Sequence, residues 1–81
     1  MRVTVRLFAQ LRDAAGLAAW DADMPAGAVV GDVWRQATTR HPAIAPFEKA
    51  ISCAVNATFA RMSHPVADGD EVAFLPPVSG G

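Results

Sequence analysis

Eighty-one residues make one small domain, with seven Lys+Arg against eight Asp+Glu, a formal charge of −1 and a pI near 6.0. That balance argues against nucleic-acid binding by bulk electrostatics, and 52% hydrophobic against 19% charged residues argues against intrinsic disorder. Alanine supplies 17 of the apolar residues, so the core is modest; a core of this size seldom supplies more than about 3–5 kcal/mol, and a partner is expected to add stability.

The lone cysteine, Cys53, forbids an intramolecular disulfide and any multi-cysteine metal site, and His41 and His64 lie too far apart in sequence to complete one with it. No stretch reaches the roughly 18 apolar residues of a membrane span. The opening Met1-Arg2-Val3-Thr4 lacks the long apolar segment of a secretion signal. A soluble cytoplasmic domain is expected, with no membrane and no nucleic acid among its partners.

Residues 2–8 alternate, Val3, Val5 and Leu7 on one face and Arg2, Thr4 and Arg6 on the other, which predicts a strand with one buried face. Phe8, if the strand continues, points away from the core. Ala9 to Ala15 is rich in helix formers and ends at Gly16, a natural helix stop. Leu17 to Met24 alternates again, with Trp20, Ala22 and Met24 opposed to Asp21 and Asp23, before Pro25-Ala26-Gly27 breaks the pattern. Val30, Val33, Trp34 and Ala37 then fall at helical spacing, with Asp32 in the first turn and His41-Pro42 as the stop.

Ala43 to Lys49 fits no single pattern. Ile51 to Val55 reads as a short strand running into a polar turn at Asn56-Ala57, with Thr58 to Met62 as its partner. Ala67-Asp68-Gly69-Asp70 predicts a hairpin turn; it is too short and too poor in ligands to be a calcium loop. Glu71 to Leu75 is the last strand, Val72 and Phe74 on one side and Ala73 and Leu75 on the other. Strand, strand, helix, strand, short strand, strand is an α+β order. The ubiquitin-like β-grasp fits it best: a mixed sheet with one main helix on one face, spanning residues 1–75, and a tail of residues 76–81 whose composition predicts flexibility.

The chemistry is concentrated in that tail, Pro76-Pro77-Val78-Ser79-Gly80-Gly81. Two prolines cannot continue a central strand and predict an extended exit. A Gly-Gly terminus passes through a channel too narrow for a Cβ and carries an unhindered α-carboxylate. Such a carboxylate can be adenylated by ATP, and the mixed anhydride attacked by sulfur or nitrogen without steric hindrance at the adjacent carbon. The plain alternative is an inert chain end.

Four stretches in order carry a resemblance across nearly the whole chain: Leu7-Phe8-Ala9-Gln10-Leu11-Arg12-Asp13 with Gly16; Ala54-Val55-Asn56 with Thr58; His64 through Phe74; and Leu75-Pro76-Pro77-Val78-Ser79-Gly80-Gly81. The chain resembles the small, sulfur-carrier subunit of molybdopterin synthase, a ubiquitin-like family; residues 17–50 match it in pattern only. The resemblance implies that Gly81 is adenylated by an enzyme related to ubiquitin activators, with ATP consumed there and no cofactor bound permanently. A sulfur donor such as a cysteine desulfurase or rhodanese-type protein would then convert Gly81 to a thiocarboxylate. The tail, residues 76–81, would enter the active site of the large subunit and deliver sulfur to a pterin precursor, forming the dithiolene of the molybdenum cofactor. A heterotetramer of two small and two large subunits would follow, in which this chain is the sulfur donor and not the catalytic partner.

By strand parity Phe8 and Leu75 point off the core face, whereas the side of Phe59 is not fixed by sequence. If the three converge they form an apolar interface beside the tail, as the resemblance implies. Arg12 and Arg61 either meet an acidic partner surface or are ordinary solvated charges. Cys53, between Ser52 and Ala54 in an apolar segment, reads as core, because a buried thiol without a basic neighbour has no reason to ionise. Trp34 belongs to the packing face of the helix, Trp20 to the core or sheet edge, and His41 and His64 to loops. Three other functions remain open at this point: a sulfur carrier for thiamine or another metabolite, a ubiquitin-like modifier of lysines, and a binding module with an inert tail.

Overall fold

The computed structural model describes residues 1–77. Five strands and two α-helices follow in the order β1 (Arg2–Leu7), α1 (Ala9–Ala15), β2 (Ala19–Asp23), α2 (Val30–Arg40), a 3-10 segment (Pro42–Phe47), β3 (Ser52–Val55), β4 (Thr58–Ala60) and β5 (Glu71–Leu75). The sheet order is β2-β1-β5-β3-β4. β1 and β5 are parallel, Val5 opposite Val72 and Leu7 opposite Phe74, and the other pairs are antiparallel. This is the ubiquitin-like β-grasp expected from the element order.

The core lies on one face of the sheet. Val3, Val5 and Leu7 of β1, Val72 and Phe74 of β5, and Cys53 and Val55 of β3 pack against Val30, Val33, Trp34 and Ala37 of α2, with Leu11 and Ile44 closing the sides. Trp34 and Phe74 meet with ring centroids 4.9 Å apart at a tilt of 59°, an arrangement that suits the aromatic quadrupoles. The indole N–H of buried Trp34 donates to Glu48 Oε1 at 2.9 Å, so burial leaves no orphan donor there.

Local chemistry explains where the elements stop. β1 ends at Leu7; Phe8 stays extended, and Ala9, at a φ of 49°, turns the chain into α1. Gly16 closes α1 in the left-handed region, at a φ of 80° that a side chain would strain, and its N–H donates to Arg12 O at 2.9 Å. At the start of α2 the Asp32 carboxylate accepts the Val29 N–H at 2.9 Å. Met62 and His64 carbonyls accept the Gly31 and Val30 N–H groups at 2.8 and 2.9 Å. These bonds pull the chain away from β3, so the strand expected over residues 58–62 ends at Ala60. A Cβ at Gly31 would meet Met62 O at 3.3 Å, so this close approach favours glycine. The ambiguous segment after α2 is the 3-10 turn, with Pro42 in its first turn.

One turn departs from expectation. Residues 67–70 do turn, with Asp70 N–H donating to Ala67 O at 3.0 Å and Gly69 at a φ of 86°, but they do not form a hairpin. β4 pairs with β3, whereas β5 inserts between β1 and β3. The turn is instead tied across the sheet: Gly69 N–H donates to Arg2 O and Arg2 N–H to Asp68 Oδ1, both at 2.8 Å. Asp70 also accepts from Ala67 N–H at 2.8 Å and from Asn56 Nδ2 at 2.9 Å. Asn56 in turn accepts the Glu71 N–H at 2.9 Å while holding a φ of 50°, a conformation asparagine tolerates.

Two carboxylates in these motifs are held below the ordinary value of 3.8, Asp32 by the Val29 N–H with help from Arg35, and Asp70 by the Ala67 N–H and the Asn56 amide. A folded pKa below the unfolded one stabilises the fold where the carboxyl is ionised in both states. The contribution is complete above about pH 5 and is lost as pH falls through 3.8 toward the depressed values. Urea denaturation should therefore show Asp70→Asn less stable than the parent at pH 7, with the gap narrowing by pH 3. A gap of the same size at both pH values would contradict this assignment.

Candidate functional site

The sheet face away from α2 divides into two halves. On one, Arg2 pairs with Asp23 at 3.4 Å, Arg6 with Glu71 at 2.9 Å, and Thr4 donates to Asp21 at 3.2 Å. These are exposed contacts of small energetic weight. On the other half the register aligns Ala73 of β5 with Ala54 of β3, and Ala54 with Phe59 of β4. Leu75 follows two residues beyond Ala73 on the same side, opposite Ser52.

Phe59 is 77% exposed and Phe8 40% exposed, while Leu75 is half-buried. Leu75 lies on the outer side with Ala73, and the register assigns Phe59 to that side as well; β1 ends at Leu7, so Phe8 is exposed just beyond the strand, at the start of α1. Ala54 and Ala73 make the floor of this patch. They are only 7% and 8% exposed although they lie on the outer face, because the larger side chains around them cover small neighbours. The position of Ala73 followed from its parity with Leu75; that of Ala54 required the β3–β5 register.

Pro76 and Pro77 leave the sheet from the Leu75 end of the patch. Val78, Ser79, Gly80 and Gly81, which carry the proposed chemistry, lie outside the described residues. Arg12 is exposed on α1, one turn from Phe8, whose carbonyl accepts its N–H at 3.4 Å; its guanidinium lies 3.8 Å from Asp13. Arg61 follows β4 and helps line a shallow groove of about 440 Å³ with Phe59, Ser52, Cys53 and Glu48.

Cys53 is buried, its Sγ 3.8 Å from Met62 Sδ, and burial raises its pKa above the ordinary thiol value. It is a packed thiol, not a thiolate. Among the described residues no three His, Cys, Asp or Glu side chains gather as a metal site, and no helix is long and apolar enough to cross a membrane. His41 ends α2 and its ring lies 5.0 Å from that of Trp20, which is half-buried at the β2 edge of the sheet. His64 lies in the loop before β5.

The ThiS family profile matches residues 5–81. The chain belongs to the ThiS family. Its sequence is 38% identical over 81 residues to the molybdopterin synthase sulfur carrier subunit of Escherichia coli, covering 98% of this chain and 99% of that one. The crystal structure of SAMP1 from Haloferax volcanii superposes with a TM-score of 0.90 at 31% identity over 100% of both chains. A chain of the Amycolatopsis orientalis BexX/CysO complex superposes with a TM-score of 0.77 at 27% identity, covering 98% and 99%. The ThiS-family likeness extends over the whole body of the domain and not over the tail motif alone.

The two faces of the sheet should respond oppositely to substitution. Phe59→Ser removes an exposed ring and should change stability by less than about 1 kcal/mol. Phe74→Ala empties a core position and should cost about 3–5 kcal/mol. Urea midpoints compare the two directly, and a large loss at Phe59 would mean that the ring is structural.

Proposed function

We propose that this ThiS-family chain is a sulfur carrier that works as the small subunit of molybdopterin synthase. Gly81 is the reacting residue. An activating enzyme of the ubiquitin-activator type couples the Gly81 carboxylate to ATP, releasing pyrophosphate and leaving an acyl-adenylate. The persulfide of a sulfur donor, of the cysteine desulfurase or rhodanese type, then displaces AMP to give an acyl disulfide, and a thiol reductant cleaves its S–S bond to release the thiocarboxylate. The body of the domain supplies no acid or base to these steps. It presents the tail and a docking face, and the catalytic residues belong to the large subunit, with two small and two large chains in the working assembly.

The observation that carries this reading is the junction at Leu75. The strand that ends there is flanked by β1 and β3, so the tail root leaves from the middle of the sheet beside Leu75, and we read exposed Phe8 and Phe59 as parts of the same docking face. Exposed apolar side chains near the root of the tail suit a partner that grips the body while the tail enters its active site. Arg12, beside Phe8, is read as a rim charge for the same partner. The name of the Escherichia coli relative supports the pathway, and the cytoplasm is the compartment in which the carrier would act.

SAMP1, a small archaeal modifier protein, favours a second reading, in which the activated glycine is passed to lysines of other proteins. Both readings share the adenylate and differ in the nucleophile.

Intact-protein mass after incubation with ATP, the activating enzyme and a sulfur source tests the first reading. One sulfur-for-oxygen exchange is expected on the full chain and none on a chain lacking Gly81. Phe59→Ser should take the exchange normally yet bind the large subunit at least about tenfold more weakly. Failure of the full chain to exchange sulfur would overturn the carrier reading, whereas lysine-linked adducts to other proteins would favour the modifier.

A further inference from the structure

The charges of the domain are separated along the strands. Asp21, Asp23, Asp68, Asp70 and Glu71, five of the eight carboxylates, lie toward the end of the sheet where β1 and β5 begin. Asp23 is opposite Arg2, Asp21 and Glu71 are opposite Thr4, and Asp68 and Asp70 accept the Arg2 and Thr4 N–H groups.

The opposite end, where β5 finishes at Leu75, is different. Four of the seven cationic side chains are paired with carboxylates: Arg2 with Asp23, Arg6 with Glu71, Arg12 with Asp13 and Arg35 with Asp32. Arg40 lies over the Trp20 ring at 5.9 Å. Among the described residues Lys49 and Arg61 have neither kind of partner, and both are exposed. The register brings them to one place. Ser52 is opposite Leu75 and Cys53 is opposite Ala60, so Lys49, which precedes β3, and Arg61, which follows β4, both lie beyond the end of the sheet at which β5 finishes.

Each borders a groove. One, of about 440 Å³, runs between Ile51 and the end of β4, where Phe59, Ala60 and Met62 line it and Arg61 stands at its rim. The other, of about 330 Å³, is lined by Gly31, Trp34 and Arg35 of α2 and by Lys49. Glu48 and Met62 line both, so the two adjoin there as one furrow. Among the described residues Glu48 is the one carboxylate in that lining, and it already accepts the Trp34 indole N–H at 2.9 Å. The floor is apolar, and the rim carries three cations against a single acid.

We propose that this furrow docks an extended acidic peptide segment of a partner, with an apolar side chain seated between Ile51 and Met62 and carboxylates meeting Lys49 and Arg61. Charge complementarity selects the occupant. Isolated cations around an apolar floor suit carboxylates interleaved with apolar side chains, whereas a run of phosphates calls for a row of cations. The carboxylates at the far end of the sheet repel the same partner, so the field of the domain turns the β5 exit toward it during encounter. No residue of the tail takes part in this surface, so it does not rest on the chemistry read for Gly81.

The test is titration of the full 15N-labelled chain, at neutral pH and low salt, with a capped decapeptide of alternating Leu and Glu. Shifts are expected at the amides of residues 48–53 and 59–62 and at the Trp34 indole N–H. Affinity should fall at least about fivefold in the double variant Lys49→Gln/Arg61→Gln, and also when salt is raised to about 0.15 M. Both side chains are exposed, so that variant should unfold at the urea midpoint of the parent, and Lys49→Arg/Arg61→Lys should bind as the parent does. The absence of shifts, shifts centred on another surface, or unchanged affinity in the charge-removing variant would each overturn the proposal. So would equal binding of a Leu–Gln decapeptide or of a short oligothymidylate. Sulfur exchange at Gly81 is read separately by mass, so neither result decides the other.

Discussion

The parallel pairing of β1 with β5 is the constraint on which the molecule depends. It joins the first strand to the last across most of the sequence, aligning Val5 with Val72 and Leu7 with Phe74 over the helix. Phe8 N–H donates to Phe74 O at 3.3 Å at one end of this seam, and Thr4 N–H donates to Asp70 O at 2.9 Å at the other. A parallel pair needs a long crossover, and everything between residues 8 and 70 serves as one. With β3 on its other side, β5 becomes the middle strand of five, and the chain must leave the domain from the middle of the sheet rather than from an edge.

That exit gives the two faces of the sheet their separate tasks. The inner face holds the large apolar side chains and α2, with Trp34 and Phe74 at its centre. The outer face is split between ion pairs on the β2–β1 side and an apolar patch on the β3–β4 side. Edge strands expose unpaired backbone groups and invite aggregation; here the β4 edge is only three residues long, and the chain beyond it turns to cap α2. An exposed phenylalanine on so short an edge has little to contribute to the fold, which fits a surface kept for a partner.

The body is chemically quiet in a way that suits a carrier. Its thiol is buried with a raised pKa, so it does not compete for the sulfur chemistry assigned to the tail. Six arginines and one lysine give it positive charge with few amines, and arginine does not act as a nucleophile at neutral pH. On the proposed reading of Gly81 as an acyl donor, such a composition leaves few amines to which the donor could be lost.

Much of this was legible in the sequence because it is governed by neighbours along the chain. Alternation gave β1 and β5 their buried faces, helical spacing gave α2 its packing stripe, and Gly16 and His41-Pro42 gave the helix ends; each depends on residues a few positions apart. The acyl chemistry proposed for Gly80-Gly81 rests on residue type alone, because those residues lie outside the described part of the chain. What the sequence could not decide was which strands are neighbours. Residues 67–70 carry every sign of a hairpin turn, yet β5 pairs with strands far from it in sequence. Phe59 belongs to a three-residue strand too short for parity to assign a face. Ala54 joins the patch only through the β3–β5 register. Turn chemistry and periodicity are short-range effects, whereas strand order and register are set by the burial of one continuous core, and that is settled only when the whole chain has folded.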